Sequence, residues 1–195
     1  ARYLGPSNYG LINYAVSVTA FFLPLMRLGL DATLVQEYGD RSEHSGEVLG
    51  TALVMNLLSA GACIAGVTGF AAVADRGDPE TILVCALYST SLLFQAIEML
   101  RYWFQANLLS KHSSLAMLGA HFAVSIYKIW LLITNKSVYW FALSHSVEYA
   151  AVGMLLWLSY RKNGNQKITF SMKMAKELFA KSKHYIIALL MIVVY

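Results

Sequence analysis

Hydrophobic positions in this chain are grouped into long continuous runs, and polar positions are concentrated between the runs. Each run has about 20 residues, which is the length that an α-helix needs to cross a bilayer core about 30 Å thick. We predict five complete membrane spans, at about residues 9–28, 48–74, 81–100, 114–134 and 138–160. A sixth run starts near residue 184 and reaches the last residue, 195. The pattern therefore predicts an all-α, polytopic integral membrane protein.

The composition supports a lipid environment. Of the 195 residues, 57% are hydrophobic and only 13% are charged. A soluble domain usually carries about 25% charged residues, so this chain has too few to cover a water-exposed surface. The two cysteines, Cys63 and Cys85, lie inside apolar runs and lack the spacing of a metal site. We interpret them as small packing residues.

Lysine and arginine are divided unevenly between the two sides of the membrane. Successive connections alternate sides, so their basic residues can be pooled. Three lie on one side, namely Arg2, Arg76 and Lys136. Eleven lie on the other, namely Arg27, Arg41, Arg101, Lys111, Arg161, Lys162, Lys167, Lys173, Lys176, Lys181 and Lys183. Because basic connections stay in the cytoplasm, segments 30–47, 103–113 and 161–183 are predicted to be cytoplasmic.

The connections between the runs predict that the spans pack together as one bundle. Residues 1–183 form the predicted transmembrane bundle, which includes a basic cytoplasmic loop over 161–183, and residues 184–195 start the next span. Topology and attraction to anionic lipid heads explain the basic loop, so no nucleic-acid-binding module is predicted. Asp31 is the predicted N-cap of a short interfacial helix. Four glycines are expected to let other helices approach the second span closely: Gly50, Gly61, Gly66 and Gly69.

Four ionisable side chains are predicted to lie in the middle of the bilayer. At a rise of 1.5 Å per residue, their distances from the outer turn near residue 136 are about 12 Å for Lys128, about 13 Å for His145, about 18 Å for Glu148 and about 22 Å for His121. Two adjacent antiparallel helices would bring these side chains together. Charges inside a bilayer are costly, so each is a functional candidate.

Polar residues also form a stripe along the third span, which suggests a shared polar cavity. The stripe comprises Ser91, Gln95, Glu98, Tyr102 and Gln105, with Arg101 beside it. His121, Ser125 and Lys128 recur at i, i+4 and i+7, so they share one helix face. Three helices with polar stripes need something polar to face, and a water-filled cavity fits this better than lipid does.

Simpler interpretations of these residues remain open at this stage. Lys128 could extend its long stem to the outer headgroups, or form a structural ion pair with Glu148. Glu98 and Arg101 could be an ordinary i, i+3 ion pair near the inner interface. His121 and His145 could simply hydrogen-bond to neighbouring helices. The short side chain of Glu148 cannot reach the interface, so it is expected to face a polar cavity.

Several segments resemble one known family. They are "ARYLGPSNYG", "MRLGLDATLVQEYGD", "YWFQANLLSKHSSLAM", "KIWLLI", "FALSHSVEYAAVGMLLWLSYRKNGN" and "KELFAKSKHYIIALLMIVVY". Together they resemble the O-antigen flippases, which are Wzx-type exporters of the multidrug/oligosaccharidyl-lipid/polysaccharide superfamily. The resemblance covers essentially the whole chain. It implies that the chain is the N-terminal half of a longer transporter with two helical bundles around a central cavity.

The resemblance also implies a function. Such proteins move undecaprenyl-diphosphate-linked oligosaccharide across the bacterial inner membrane by alternating access, driven by a proton or sodium gradient. Polysaccharide polymerase and assembly proteins are then the expected partners, and no cofactor, metal or catalytic residue is expected. The expected substrate and cavity residues are Lys128, Arg101, His121, His145 and Gln95. The expected coupling residues are Glu148 and Glu98.

Other function classes are weaker alternatives. An ion-coupled drug or metabolite antiporter of the same superfamily would be expected to have acidic cavity residues, because its substrates are often cationic, and Lys128 and Arg101 argue against it. A membrane enzyme of polysaccharide synthesis needs catalytic groups in a substantial outer loop or an acidic metal-binding motif. The outer connections, 75–80 and 135–137, are too short for this. A membrane scaffold would leave the midplane charges unexplained.

Overall fold

The computed structural model describes residues 5–75, 77–134, 137–164 and 166–194. These residues contain nine α-helices, a single 3₁₀ turn at Ser42–His44, and no strand. The α-helices are α1 (Gly5–Arg27), α2 (Asp31–Asp40), α3 (Ser45–Ala74), α4 (Pro79–Ser89), α5 (Ser91–Ile97), α6 (Leu100–Ala106), α7 (Ser110–Ile133), α8 (Val138–Asn163) and α9 (Met172–Val194). The outer-side basic residues Arg2, Arg76 and Lys136 lie outside the described residues.

Within the described residues, five segments are long and apolar enough to cross a membrane: Gly5–Arg27, Ser42–Ala74, Pro79–Ala106, Ser110–Ile133 and Val138–Asn163. The chain is therefore an all-α polytopic membrane protein, as its hydrophobic pattern predicts. Each helical segment extends beyond the corresponding apolar run at one end or at both, because polar residues at the ends of a span continue the helix into the interface. Within the bundle, α1 packs on α3 and α4, α5 packs on α3 and α8, and α7 packs mainly on α8.

The third span is divided into α4, α5 and α6. Around its two junctions the amides bond three residues back instead of four: Leu93 to Thr90, Glu98 to Gln95, and Arg101 to Glu98. At the first junction the Thr90 hydroxyl donates to the carbonyl oxygen of Leu87 at 2.7 Å. A hydroxyl that bonds to the preceding turn competes with the helix ladder and bends the helix.

The segment 161–183 differs from the expected loop. Helix α8 continues to Asn163 and α9 begins at Met172, so only a short connection between them lacks helical structure. Met174, Leu178 and Ser182 are buried and lie four residues apart, which is the period of one helix face. This face docks α9 against α1, α2 and α3.

Ion pairs on the predicted cytoplasmic side hold α9 to α2. Arg41 Nη2 donates to Glu177 Oε2 at 2.8 Å, and this hydrogen bond lowers the pKa of the Glu177 carboxyl below its ordinary value. Arg41 also lies 3.5 Å from Glu37, which in turn pairs with Lys181. The short α8–α9 connection is fastened to α3, because Gln166 Oε1 accepts from the backbone amide of Gly46 at 2.8 Å.

The predicted glycine contacts and the predicted cap are only partly present. Gly66 packs on Phe22 of α1, whose ring would be 2.7 Å from an added Cβ. Gly50 instead faces the backbone of the α8–α9 connection, and neither Gly61 nor Gly69 has a described atom within 4 Å of an added Cβ. Leu30 occupies the N-cap position of α2, and the Asp31 side chain forms no cap hydrogen bond. The prediction for Asp31 was wrong because its carboxylate pairs with Arg27 at 3.0 Å.

Candidate functional site

The α7–α8 hairpin brings three of the predicted residues into direct contact around Glu148. Lys128 Nζ donates to Glu148 Oε2 at 2.7 Å, and His121 Nδ1 lies 2.6 Å from Glu148 Oε1. Both carboxylate oxygens therefore have a nitrogen partner from α7. The Lys128 ammonium group points to Glu148 and not toward the headgroups, so the interpretation of a side chain reaching the interface does not describe this structure.

Exposure differs within this network, which we call the Glu148 network (His121, Lys128 and Glu148). The Glu148 side chain is 15% exposed, whereas Lys128 is 41% exposed and His121 is 47% exposed. The carboxylate thus lies behind its two nitrogen-bearing partners. A molecule approaching from the open side meets the donors first.

His145 forms the wall beside this network. Its Nδ1 is 4.0 Å from Glu148 Oε2, which is too far for a hydrogen bond. The His145 ring stacks on Tyr88 with centroids 4.4 Å apart and planes 11° apart, and Tyr149 meets it edge-on at 5.0 Å. Aromatic packing therefore fixes the orientation of His145. His145 lies next to the network but does not hydrogen-bond to the Glu148 carboxylate.

A second cluster joins the end of α1 to the α5–α6 junction. Glu98 is buried, and it lies 3.2 Å from Arg101 and 3.7 Å from Arg27. Arg101 Nη2 also donates to the Tyr102 hydroxyl at 3.1 Å. The expected i, i+3 pair between Glu98 and Arg101 is therefore present, and Arg27 adds a second cation to it. We call these three residues, together with Asp31, the Glu98 network.

Unpaired acceptors surround a small cavity within the Glu98 network. The cavity measures about 10 Å³ and is lined by Asn56, Gln95 and the charged residues of the network. Asn56 Oδ1, Gln95 Oε1 and Asp31 Oδ1 are buried and have no hydrogen-bond partner among the described residues. A space of this size is close to that of one water molecule, and a bound water could donate to two of these oxygens.

Gln95 connects the two networks. It lines the small cavity of the Glu98 network and also a groove of about 90 Å³ that His145, Tyr149, Tyr88 and Thr19 border. The polar stripe predicted on the third span is therefore turned inward: Gln95 and Glu98 are buried, whereas Gln105 at its far end is exposed. All seven predicted site residues thus belong to one of the two networks or to the wall between them.

Sequence reasoning missed Arg27, Asn56 and Tyr88 as members of the site. Arg27 looked like a topological marker because it ends a span, and Tyr88 gave no signal within an apolar run. Asn56 did give a usable signal: it is an amide in the middle of the long apolar run 48–74, and it is fully buried. A buried amide needs hydrogen-bond partners, so its presence already indicated a polar region nearby.

Comparison with known families decides the class of protein. The family model described as "Polysaccharide biosynthesis protein" matches residues 1–195. The chain belongs to this family. Polysaccharide biosynthesis proteins of this family include the Wzx-type flippases and are generally transporters and not enzymes. The resemblance seen in the sequence is thereby confirmed at the level of the family. No curated protein and no solved structure matches the chain.

Proposed function

We propose that this member of the polysaccharide biosynthesis family flips a lipid-linked oligosaccharide. The cargo would be undecaprenyl-diphosphate-linked O-antigen or a related polysaccharide repeat unit, carried across the bacterial inner membrane by alternating access. Family membership supports the transporter class. The observation that favours an anionic cargo is the exposure pattern of the Glu148 network, in which the nitrogen donors are open and the carboxylate is covered.

The cost of burying charge supports a functional role for this network. Each charged side chain in the middle of a membrane costs about 2.5–3.5 kcal/mol on insertion scales. An antiporter for cationic drugs would need an accessible carboxylate. Here Lys128 and His121 occupy both oxygens of Glu148, so a cationic substrate would have to displace them. An anionic diphosphate instead meets the Lys128 side chain, which is partly exposed.

Competition for Lys128 links the cargo to a proton. With Glu148 ionised, its carboxylate holds the ammonium group of Lys128. Protonation of Glu148 removes the opposite charge, and Lys128 then becomes free to pair with the cargo diphosphate. Loss of the proton on the other side of the membrane restores the ion pair and weakens the hold on the cargo. Linkage requires the reverse as well, so bound diphosphate favours protonation of Glu148.

The Glu98 network repeats this arrangement nearer to the predicted cytoplasmic side. Arg101 would be the cationic contact, Glu98 the second protonation site, and Gln95 the polar residue between the two networks. A sodium ion could act by the same competition, since it also binds carboxylate oxygens. Polysaccharide polymerase and assembly proteins would then use the flipped repeat unit on the outer side.

Complementation of a flippase-deficient strain tests the proposal. Full-length protein should restore surface polysaccharide, whereas Glu148→Gln and Lys128→Met should abolish most of the export measured per molecule of protein in the membrane. Lys128→Arg keeps the charge and should retain much of it. Lys111→Met is the matched control, because it removes an exposed cation at the start of the same helix and should export normally. Normal export by both network variants would overturn the proposal.

A further inference from the structure

A lateral groove lies between α3, α5 and α8, on residues that neither network uses. It measures about 550 Å³. Its walls are apolar and include Leu53, Leu57, Phe94, Ile97, Gly153 and Trp157. The lining on α8 extends from Ala150 to Trp157, or about 10 Å at 1.5 Å per residue. The groove is therefore apolar and runs for about 10 Å along a predicted membrane span.

The absence of a side chain at Gly153 keeps part of this groove open. An added Cβ at Gly153 would lie 3.4 Å from Ile97 Cβ, which is the edge of normal contact. A larger side chain at this position would project into the space between α5 and α8. The groove thus depends on a residue that leaves room for a chain from outside.

A basic pocket continues the groove at the end of α8. This pocket measures about 380 Å³ and shares Trp157 with the apolar groove, and it is also lined by Tyr160, Arg161 and Gln166. Arg161 lies about 6 Å beyond Trp157 along the helix axis. Arg161 and its neighbour Lys162 are exposed, and neither forms an ion pair with a residue in the described ranges. The two cations are available to an external anion.

The wall of the basic pocket is fixed in place. The Gln166 side chain donates to the backbone oxygen of Ser42 at 2.8 Å and accepts from the amide of Gly46 at 2.8 Å. The wall therefore does not need to be ordered when a ligand binds, and preorganisation of this kind favours affinity.

We infer that the groove and its basic pocket bind one anionic phospholipid from the surrounding membrane. Along α8 the apolar groove is followed by Trp157 and then by Arg161. A phospholipid has matching parts in the same order: an acyl chain, an interfacial region and a phosphate. Tryptophan is favoured at the interface, and a guanidinium group pairs with phosphate oxygens through two parallel hydrogen bonds. The unpaired guanidinium group of Arg161 in the pocket, with exposed Lys162 next to it in the chain, favours an anionic lipid over a zwitterionic one. The inference does not depend on transport.

Fluorescence quenching by brominated lipids tests this inference in full-length protein in nanodiscs. In the reporter variant every tryptophan of the full-length protein except Trp103 and Trp157 is replaced with Phe, including Trp130 and Trp140, so Trp157 reports on the groove while buried Trp103 gives a constant background. Brominated phosphatidylglycerol should reach half-maximal quenching at a mole fraction at least about fivefold lower than brominated phosphatidylcholine, given the attraction of basic residues for anionic lipid. Arg161→Gln should remove most of this difference.

Two controls make the result decisive. A matched variant keeps only Trp103 and Trp130 and reports on α7, where Trp130 is exposed outside the groove; both lipids should quench it equally. Gly153→Leu should reduce quenching of Trp157 by either lipid because it fills the groove. Equal quenching of Trp157 by the two lipids, with and without Arg161, would mean non-specific lipid contact and would overturn the inference. A lack of quenching by either lipid would show that a protein segment covers the groove, with the same consequence.

Discussion

The ion pair between Lys128 and Glu148 allows a functional role to be separated from a structural one. Lys128→Met removes the ammonium group while keeping most of the stem, and Glu148→Gln keeps the shape of the carboxyl group while removing its charge. The pair is joined at 2.7 Å, and Glu148 is the more buried partner. Each single substitution therefore leaves the other residue without its main partner.

The expected loss of stability follows from the burial of the two groups. An unsatisfied, partly buried polar group costs about 1–3 kcal/mol. A fully buried pair would cost about 3–5 kcal/mol when broken, but Lys128 is partly exposed, so water can replace some of the lost interaction. We expect each single variant to lose about 1–3 kcal/mol, and the double variant to recover about 1–2 kcal/mol of the summed loss as coupling energy. A coupling of about 1.4 kcal/mol corresponds to a tenfold change in an equilibrium constant.

Two readouts on the wild type, the two single variants and the double variant provide the assay. Thermal unfolding in detergent and abundance in the membrane report on stability, and surface polysaccharide reports on export. A functional role predicts that the double variant regains stability but not export, because neither a cation for the diphosphate nor a titratable carboxyl group remains. If the double variant exports at the wild-type level, the pair is only structural and the roles assigned to both residues are wrong.

Three further predictions concern the rest of the fold. Lys167→Cys, in a background without native cysteines, should react with a membrane-impermeant thiol reagent only after permeabilisation; labelling in intact cells would reverse the predicted topology. Gly50→Ala should lose about 1–3 kcal/mol of stability through overpacking, because its Cβ would clash with the backbone oxygen of Thr169. Gly61→Ala on the same helix should be neutral or stabilising by up to about 1 kcal/mol. Equal melting temperatures for Gly50→Ala and Gly61→Ala would contradict this prediction. Since Arg41 lowers the pKa of Glu177, this pair should stabilise the docking of α9 fully above the ordinary glutamate pKa of about 4.3, and its contribution should be lost as the pH falls below that value. Hydrogen exchange in α9 should then accelerate, and the acceleration should be smaller in Glu177→Gln.

The Glu148 network could be predicted from the sequence because simple geometry determines it. Two antiparallel helices joined by a short turn place residues at equal distances from the turn side by side, and the rise per residue gives those distances. Lys128 and Glu148 differ in predicted depth by about 6 Å, which their side chains bridge. His121 reaches the same carboxylate because it is two turns from Lys128 on the same face.

The Glu98 network could not be predicted in the same way. Its geometry depends on the turn after α1, where Leu28 and Gly29 have φ values of 52° and 65°. This turn brings the Asp31 carboxylate to 3.0 Å from Arg27, and a local hydrophobic pattern contains no information about it. The contact of Gly50 with the α8–α9 connection joins residues more than a hundred positions apart, so spacing within one helix could not indicate it.

The hydrogen bonds to the residue three positions back at the α5–α6 junction have a mechanical consequence. An α-helix turns about 100° per residue and a 3₁₀ segment about 120°, so each residue wound in the tighter form rotates everything beyond it by about 20°. Glu98, Arg101 and Tyr102 each bond three residues back. The direction of the Arg101 guanidinium relative to Gln95 is therefore set by how tightly the backbone is wound between them. Rewinding Glu98 and Arg101 as α-helix would carry Arg101 around the axis of the span by about 40° without a change in any side-chain rotamer.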